Sequence, residues 1–415
     1  MEVERSVRGN LRPTEAGEPT NGGWTLGTSC TTPETEVLTL PLTFSLESSV
    51  ERFQEGIVSR LARAREVDLH SRLATTCAAR RSAVIIVSVR ENRSIIGLDI
   101  GGTKTACVEG TLDATILQRI EMPTHAQLPF HSTFPDIADR IQSLMGDANR
   151  AGREIVAISV SIGGPLKIAE GILIDPPHLT GWHHVPLKQH LEQSFPGIPI
   201  CIEHDGNAGA LAEFHFGVGK TRPNLQHLIF LTFGTGIGAG FIVNGRILRG
   251  ATDTAGEIGH WRLAEDGPLA FGKRGCWESF ASGAGLIHLA AQMHPARWSA
   301  DTPIRDLVEA ILHADPQALE VATAAGHWMG RGISLLIDAL NPQVIVFGSL
   351  GVVLGEHILA PARKVIEKEA LPQAAAACEL IPSVLGSSIG DIAALMAALN
   401  DPDVIQNKIS RRHQA

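Results

Sequence analysis

Three absences narrow the reading of this chain. Its six cysteines (Cys30, Cys77, Cys107, Cys201, Cys276, Cys378) include no C-x-x-C pair and are widely scattered. That argues against a disulfide framework and fits a reduced, cytosolic thiol set. No apolar run approaches the ~18 residues that span a bilayer. The longest early run, Ser82 to Val89, is too short and too far from the start to be a signal peptide. Positive charge is not in excess either: the formal net charge is −9, so nothing electrostatic points to nucleic acid as the main partner. The cytoplasm is the expected location, with no membrane partner.

What is present is an ordinary globular composition, 44% hydrophobic and 19% charged over 415 residues, enough for two domains and an extension. Residues 1–47, rich in Gly, Pro, Thr and Glu without periodicity, read as disordered. Val50, Phe53, Ile57 and Leu61 recur at helical spacing, which predicts a short amphipathic helix over Ser48–Arg65, with a weaker one over Leu69–Ala79. Up to Ser94, twelve arginines balance twelve carboxylates, so this extension (residues 1–93) is neutral. The composition shift near Ser94 raises the hypothesis that it is either a regulatory arm or no part of the functional protein.

From Ser94 strands alternate with helices. Strands are predicted at Ile95–Ile100, Cys107–Gly110 and Ala114–Glu121, then a helix near Phe134–Ala148. Strand Ile155–Ser161, helix Pro186–Phe195 and strand Ile198–Glu203 follow, and Gly206–Gly217 reads as a helix with Asp205 at its N-cap. A second cycle opens with strands Leu228–Phe233 and Ala239–Val243, and Asn244-Gly245 gives a two-residue hairpin signal before Arg246–Leu248. Helices occupy 282–340. Strand Val344–Phe347, a glycine-containing turn over 348–351, a helix to about Ala370, strand Glu379–Pro382 and helix Ile389–Leu399 close the chain. The repetition points to an internal duplication.

Two stretches carry the chemistry. LDIGGTKT (98–105) and TFGTGIGAG (232–240) each read as a strand, a tight glycine tip with Thr, and a second strand. Glycine there serves a backbone with positive φ and lets a bulky anion approach. Two such tips facing each other would surround a polyphosphate with backbone N–H donors. The bland reading is ordinary hairpin glycine.

These tips, EHDGNAGALAE (203–213), GEIGH (256–260) and GCWE (275–278) stand in the order and spacing of the ROK family, which this sequence resembles over roughly residues 94 to 400. The resemblance implies an α/β, actin/hexokinase-like (ribonuclease H-like) duplicated two-domain fold with a cleft between the domains. Residues 94–212 would form the N-terminal lobe and 213–400 the C-terminal lobe, with the last helix able to pack back on the first; 401–415 is a tail. The family contains ATP-dependent sugar kinases and sugar-responsive repressors, commonly as homodimers or homotetramers.

On that resemblance Asp99 would sit beside the phosphates and hold Mg2+ through water, against the plainer reading of a strand-end Asp capping its own turn. Gly101, Gly102 and Thr103 resemble the first phosphate loop, Gly234, Thr235 and Gly236 the second, and Gly348 and Gly351 the nucleotide-side turn. Lys104 reads equally as a phosphate neutraliser or a solvated lysine. Asp205 is the candidate general base, since phosphoryl transfer needs an acceptor for the sugar hydroxyl's proton; as a plain N-cap it would be worth about 1 kcal/mol. Glu257, His260 and Glu278 match sugar-contacting positions, and carboxylates and imidazole suit vicinal hydroxyls. Gly164, His204 and Asn207 complete the expected pocket.

The departures matter as much. The family commonly holds a structural zinc with the E-x-G-H histidine and three cysteines. Here Leu269 and Phe271 stand where two thiolates should be, and His260 with Cys276 cannot complete a four-coordinate site. The expectation is no zinc, with the loop held by apolar packing and Cys276 buried as a small hydrophobe. His204 and His178 replace the usual asparagines, which leaves sugar identity least defined. A glucose kinase using ATP and Mg2+ is the leading expectation; a sugar-responsive repressor or a kinase for an N-acetylated amino sugar are the alternatives. Residues 48–90 offer no convincing recognition helix for the repressor.

Overall fold

The computed structural model describes residues 92–404. The reading of 1–47, the two early helices and the Ser82–Val89 run lie outside the described residues. Strand β1 (Arg93–Ile100) is a near-continuous apolar run buried on both faces. Through the first glycine tip it turns into β2 (Lys104–Thr111), which pairs antiparallel with it from Ser94↔Thr111 to Ile100↔Thr105. β3 (Ile116–Pro123) forms the edge, and its exposure alternates residue by residue. β4 (Glu154–Ile162) and β5 (Ile200–His204) join parallel on the other side, giving the order β3-β2-β1-β4-β5.

The second half repeats this plan. β6 (Leu228–Phe233), β7 (Ile237–Val243) and β8 (Arg246–Ile247) form an antiparallel meander. β9 (Val344–Phe347) and β10 (Glu379–Pro382) add in parallel, so the order is β8-β7-β6-β9-β10. Two sheets with one topology are the duplication expected, and the architecture is the actin/hexokinase-like one. Two small hairpins, Leu166–Lys167 with Ile172–Leu173 and Leu269–Ala270 with Lys273–Arg274, have no period long enough to be legible in the sequence.

Helices cover the sheets. α1 (Phe130–Arg150) starts a turn earlier than predicted, with Pro135 inside it. Phe130 is buried edge-on against Trp182, ring centroids 5.0 Å apart, and this packing outweighs the amide that proline lacks. α2 (Leu187–Ser194) precedes β5. α3 (Asp205–His215) begins one residue before the prediction: Asp205 is its first helical residue, and His204 is the N-cap, accepting from the Gly206 amide at Nδ1. The second lobe carries α4 (Trp277–Ala281), α5 (Gly283–Met293), α6 (Ile304–Leu312) and α7 (Pro316–Leu340). After β9 come α8 (Leu350–Leu354), α9 (Glu356–Glu369) and α10 (Pro372–Ala377), and α11 (Ile389–Leu399) ends the described chain.

The two lobes exchange helices. α3, which follows the last strand of the first sheet, packs on β6 and β7 through Ala208, Leu211 and Ala212 against Leu228, Phe230 and Ile242. α11 follows the last strand of the second sheet and packs on β1, β2, β4 and β5. The boundary expected at 212/213 therefore falls inside α3, because that helix buries its apolar face on the second sheet. The crossing of α3 over β7 is backbone on backbone: a Cβ at Gly206 would stand 2.6 Å from the Ala239 carbonyl, and one at Gly240 would overlap the Gly206 carbonyl. No described helix is long and apolar enough to cross a membrane.

Candidate active site

The tips are short. Pairing runs up to Ile100↔Thr105 and Phe233↔Ile237, leaving Gly101-Gly102-Thr103 and Gly234-Thr235-Gly236 unpaired. None of their glycines has positive φ, which corrects the expectation. Close approach is the reason instead. A Cβ at Gly102 would come 2.6 Å from the His178 carbonyl, and one at Gly236 would come 2.6 Å from both His178 Nε2 and Glu278 Oε2. The two tips thus meet the His178 loop from opposite lobes. Thr124 braces the first by donating from Oγ1 to the Gly101 carbonyl at 2.7 Å.

Between the sheets lies a cavity of about 760 Å³. Asp99, Lys104, Gly234 and Thr235 line it, together with Ser349 at the nucleotide-side turn. At its far end Ile287, Ile304, Leu350 and Val353 form an apolar wall of the kind a purine base fits. Gly348 and Gly351 do not line it: both are buried, against Phe230 and Phe347, so Ser349 and Leu350 replace them as the facing residues. Lys104 keeps 62% of its side chain exposed and pairs with Glu121 at 3.0 Å, so it is both solvated and on the cleft wall.

Asp99 is the penultimate residue of β1, half-buried, with Ser161 Oγ 3.4 Å from its Oδ1. Burial, with the Asp205 and Asp391 carboxylates, pushes its pKa up to about 7 against the Ser161 hydrogen bond and the Lys104 charge. Asp99 puts one hard carboxylate oxygen donor, the kind Mg2+ takes directly or through water, on the wall of this cavity. Arg119 and Asp391 also line the cavity, and no local motif marks either. Arg119 Nε reaches both Asp391 oxygens, at 2.9 and 3.1 Å, across 272 residues of chain.

Asp205 projects from the first turn of α3 with 42% of its side chain exposed, facing the Gly163 turn. Its Oδ1 accepts from the Gly206 amide at 2.7 Å. His204 beside it is 8% exposed and held on both sides: Nδ1 is 3.2 Å from Asp205 Oδ1 and Nε2 is 3.3 Å from Glu257 Oε1. Burial works against a charge on this ring, but the carboxylates of Asp205, Glu257 and Glu203 outweigh it and raise its pKa to about 9. The His204 hydrogen bond in turn lowers Glu257, aided by the His260 and His178 charges and opposed by burial.

Glu278 accepts from the Ile237 amide at 2.9 Å, which ties α4 to the second tip; burial raises its pKa. Glu257 precedes a 3-10 turn, Ile258–His260, that His260 ends, and the His260 ring stacks on Phe271 at 3.7 Å. Asn207 lies in the first turn of α3, beneath His204. Its side chain is fully buried: Nδ2 donates to Glu203 at 2.9 Å, and Oδ1 has no hydrogen-bond partner among the described residues. Cys276 is fully buried, while Leu269 points to solvent at 67% exposure; the stacked Phe271, and not Leu269, holds that loop. Among the described residues no cluster of three or more His, Cys, Asp or Glu side chains is placed to hold a metal.

Comparison with known proteins agrees with this architecture. The sequence model of the ROK family matches residues 95–400. A glucokinase of Halalkalibacterium halodurans is 29% identical over 313 residues, covering 72% of this chain and 93% of its own. A xylose repressor of Bacillus spizizenii is 27% identical over 312 residues, covering 74% of this chain and 77% of its own. Among solved structures, a ROK family glucokinase from Streptomyces griseus in complex with glucose and AMPPNP superposes with a TM-score of 0.62. It is 29% identical, covering 72% of this chain and 97% of its own.

Proposed function

The chain belongs to the ROK family, and from that premise we propose that it transfers the γ-phosphoryl group of ATP to a hexose hydroxyl, most simply that of glucose. The observation that carries the proposal is the placement of Asp205: a part-exposed carboxylate at the start of α3, electrostatically coupled to Asp99 at the rim of the cavity between the two sheets. Asp205 accepts the hydroxyl proton as the sugar oxygen bonds to the γ-phosphorus and the bond to the β-phosphate oxygen breaks toward ADP. Backbone amides of Thr235 and Gly236 hold the phosphates, since the Gly234 amide already donates to the Gly236 carbonyl, and the apolar wall at Ile287 and Val353 takes the base. Asp99 would hold Mg2+ through water, and that ion would neutralise phosphate charge. Glu257 and Glu278 orient the sugar hydroxyls.

An ATP-consumption assay over glucose, other hexoses and N-acetylated amino sugars tests this. Turnover on glucose is expected, falling by roughly 10²–10⁴-fold in Asp205→Ala. Absence of turnover on every sugar, or an unaffected variant, overturns it. A second reading is supported by one observation: a xylose repressor is nearly as similar as the glucokinase. Sugar-dependent gel retardation of upstream DNA without ATP consumption would favour a repressor.

A further inference from the structure

We propose that His178 is a further catalytic residue, whose ring Nε2 donates a hydrogen bond to the phosphoryl group as it passes from ATP to the sugar. The phosphoryl group belongs to the kinase reading, and the proposal rests on it; the placement of the ring rests on geometry alone. The His178 loop is fixed before it reaches the cleft. Leu179 is 2% exposed and Trp182 is fully buried, edge-on against Phe130. The Leu179 amide donates to the Pro176 carbonyl at 3.0 Å, and the Gly181 amide to the Ala126 carbonyl at 2.7 Å. His178, held between these anchors, is exposed.

Its backbone and its ring meet different tips. A Cβ on Gly102 would lie 2.6 Å from the His178 carbonyl and 3.0 Å from the His178 Cβ, so the loop backbone rests on the first tip. A Cβ on Gly236 would lie 2.6 Å from both His178 Nε2 and Glu278 Oε2, so the end of the ring reaches the second tip beside a sugar-side carboxylate. Gly236 supplies a phosphate-holding amide in the proposed reaction and Glu278 orients sugar hydroxyls, so Nε2 stands where the donor and acceptor sides meet. Glu278 Oε2 is already taken by the Ile237 amide at 2.9 Å. Among the described residues neither ring nitrogen of His178 has a hydrogen-bond partner. A proton on Nε2 is present in one neutral tautomer and in the charged ring alike, so the proposal needs no particular charge state.

A phosphoryl group in transit spreads charge over its outer oxygens, and here the carboxylates of Asp205, Glu257 and Glu278 surround the acceptor. A fixed N–H aimed at those oxygens offsets that repulsion. The covalent balance is unchanged: the sugar oxygen bonds to phosphorus, the bond to the β-phosphate oxygen breaks toward ADP, the hydroxyl proton goes to Asp205, and the His178 proton stays on the ring. Asparagine, usual at this position in the family, carries its amide nitrogen nearer the backbone, about where Nδ1 lies.

Steady-state kinetics with glucose and ATP test this. His178→Ala is expected to lower kcat by roughly 10²-fold. KM for either substrate stays within about twofold, as for a contact made only in the transition state. His178→Gln, whose amide nitrogen lies about as far out as Nε2, is expected to recover about tenfold of that loss. Equal rates in the Ala and Gln variants, or a raised KM for glucose at unchanged kcat, overturn the proposal. Histidine-selective NMR on the full chain, with glucose present throughout, reads the contact without turnover. The His178 resonance, assigned by its loss in His178→Ala, is expected to move with AMPPNP and Mg2+ and to stay in place with ADP and Mg2+. The same response to both nucleotides overturns the contact. Wild-type turnover with an unaffected His178→Ala removes His178 and leaves the kinase reading standing, whereas a wild type that phosphorylates no sugar removes both.

Discussion

Ser349 pays a visible conformational cost. It sits at φ +47° and ψ −114°, off the regions open to L-residues, at the turn facing the nucleotide cavity. Such a conformation costs on the order of 1–3 kcal/mol, and glycine recovers part of it while losing some chain entropy. Ser349→Gly is expected to stabilise the fold by about 1 kcal/mol, read as a higher midpoint in thermal unfolding; an unchanged or lower midpoint would show that the strain is not there. At this scale sequence reading found the charged groups and misjudged some of their reasons. Asp205 and Glu257 stand on either side of the His204 ring, and burial raises the pKa of both Asp99 and Glu278. The tip glycines are small because of what approaches them, which is knowable only once His178 and Glu278 are in place. Asn207 matched the motif, yet its partner turned out to be Glu203, four residues back on the other side of the helix start.

Single elements hold the site through their far ends. α3 carries Asp205 at its first residue and Glu213 in its last turn. Glu213 is fully buried and has no cation: it accepts from the Val218 amide at 3.0 Å, the Leu385 amide at 3.2 Å and Ser383 Oγ at 2.5 Å. Glu213→Leu leaves those donors unmet and is expected to cost about 2–4 kcal/mol in urea unfolding, whereas an effect below ~1 kcal/mol would mean water reaches them. Elements bounded by strong punctuation were legible: β6, β9, β10 and α11 end where predicted. α1 was not, because Phe130 gains its turn from Trp182, fifty residues on, and no local pattern reports that contact.

At the scale of the whole molecule the exchanged helices decide stability. Leu395 on α11 is fully buried, and its Cδ2 lies 2.9 Å from where a Cβ on Gly97 would be, with Gly110 on β2 tighter still. Leu395→Ala empties this contact and is expected to cost about 3 kcal/mol, lowering the unfolding midpoint of both lobes together. Two separate transitions in calorimetry would show that the lobes do not share this core. The duplication itself was readable from two hairpins with the same tip, and the resemblance implied that the last helix could return to the first lobe; the side chains that meet there were not readable, since Arg119 with Asp391, like Leu395 with Gly97, joins distant parts of the sequence.

The bare peptide crossing at Gly206 and Gly240 has one more implication. With no side chain between the two stretches of backbone, there is nothing there to compress or repack, so the offset from Asp205 to the 234–236 tip is fixed as rigidly as hydrogen-bonded main chain allows. On the kinase reading proposed above, that offset would stay constant however far the crevice gapes.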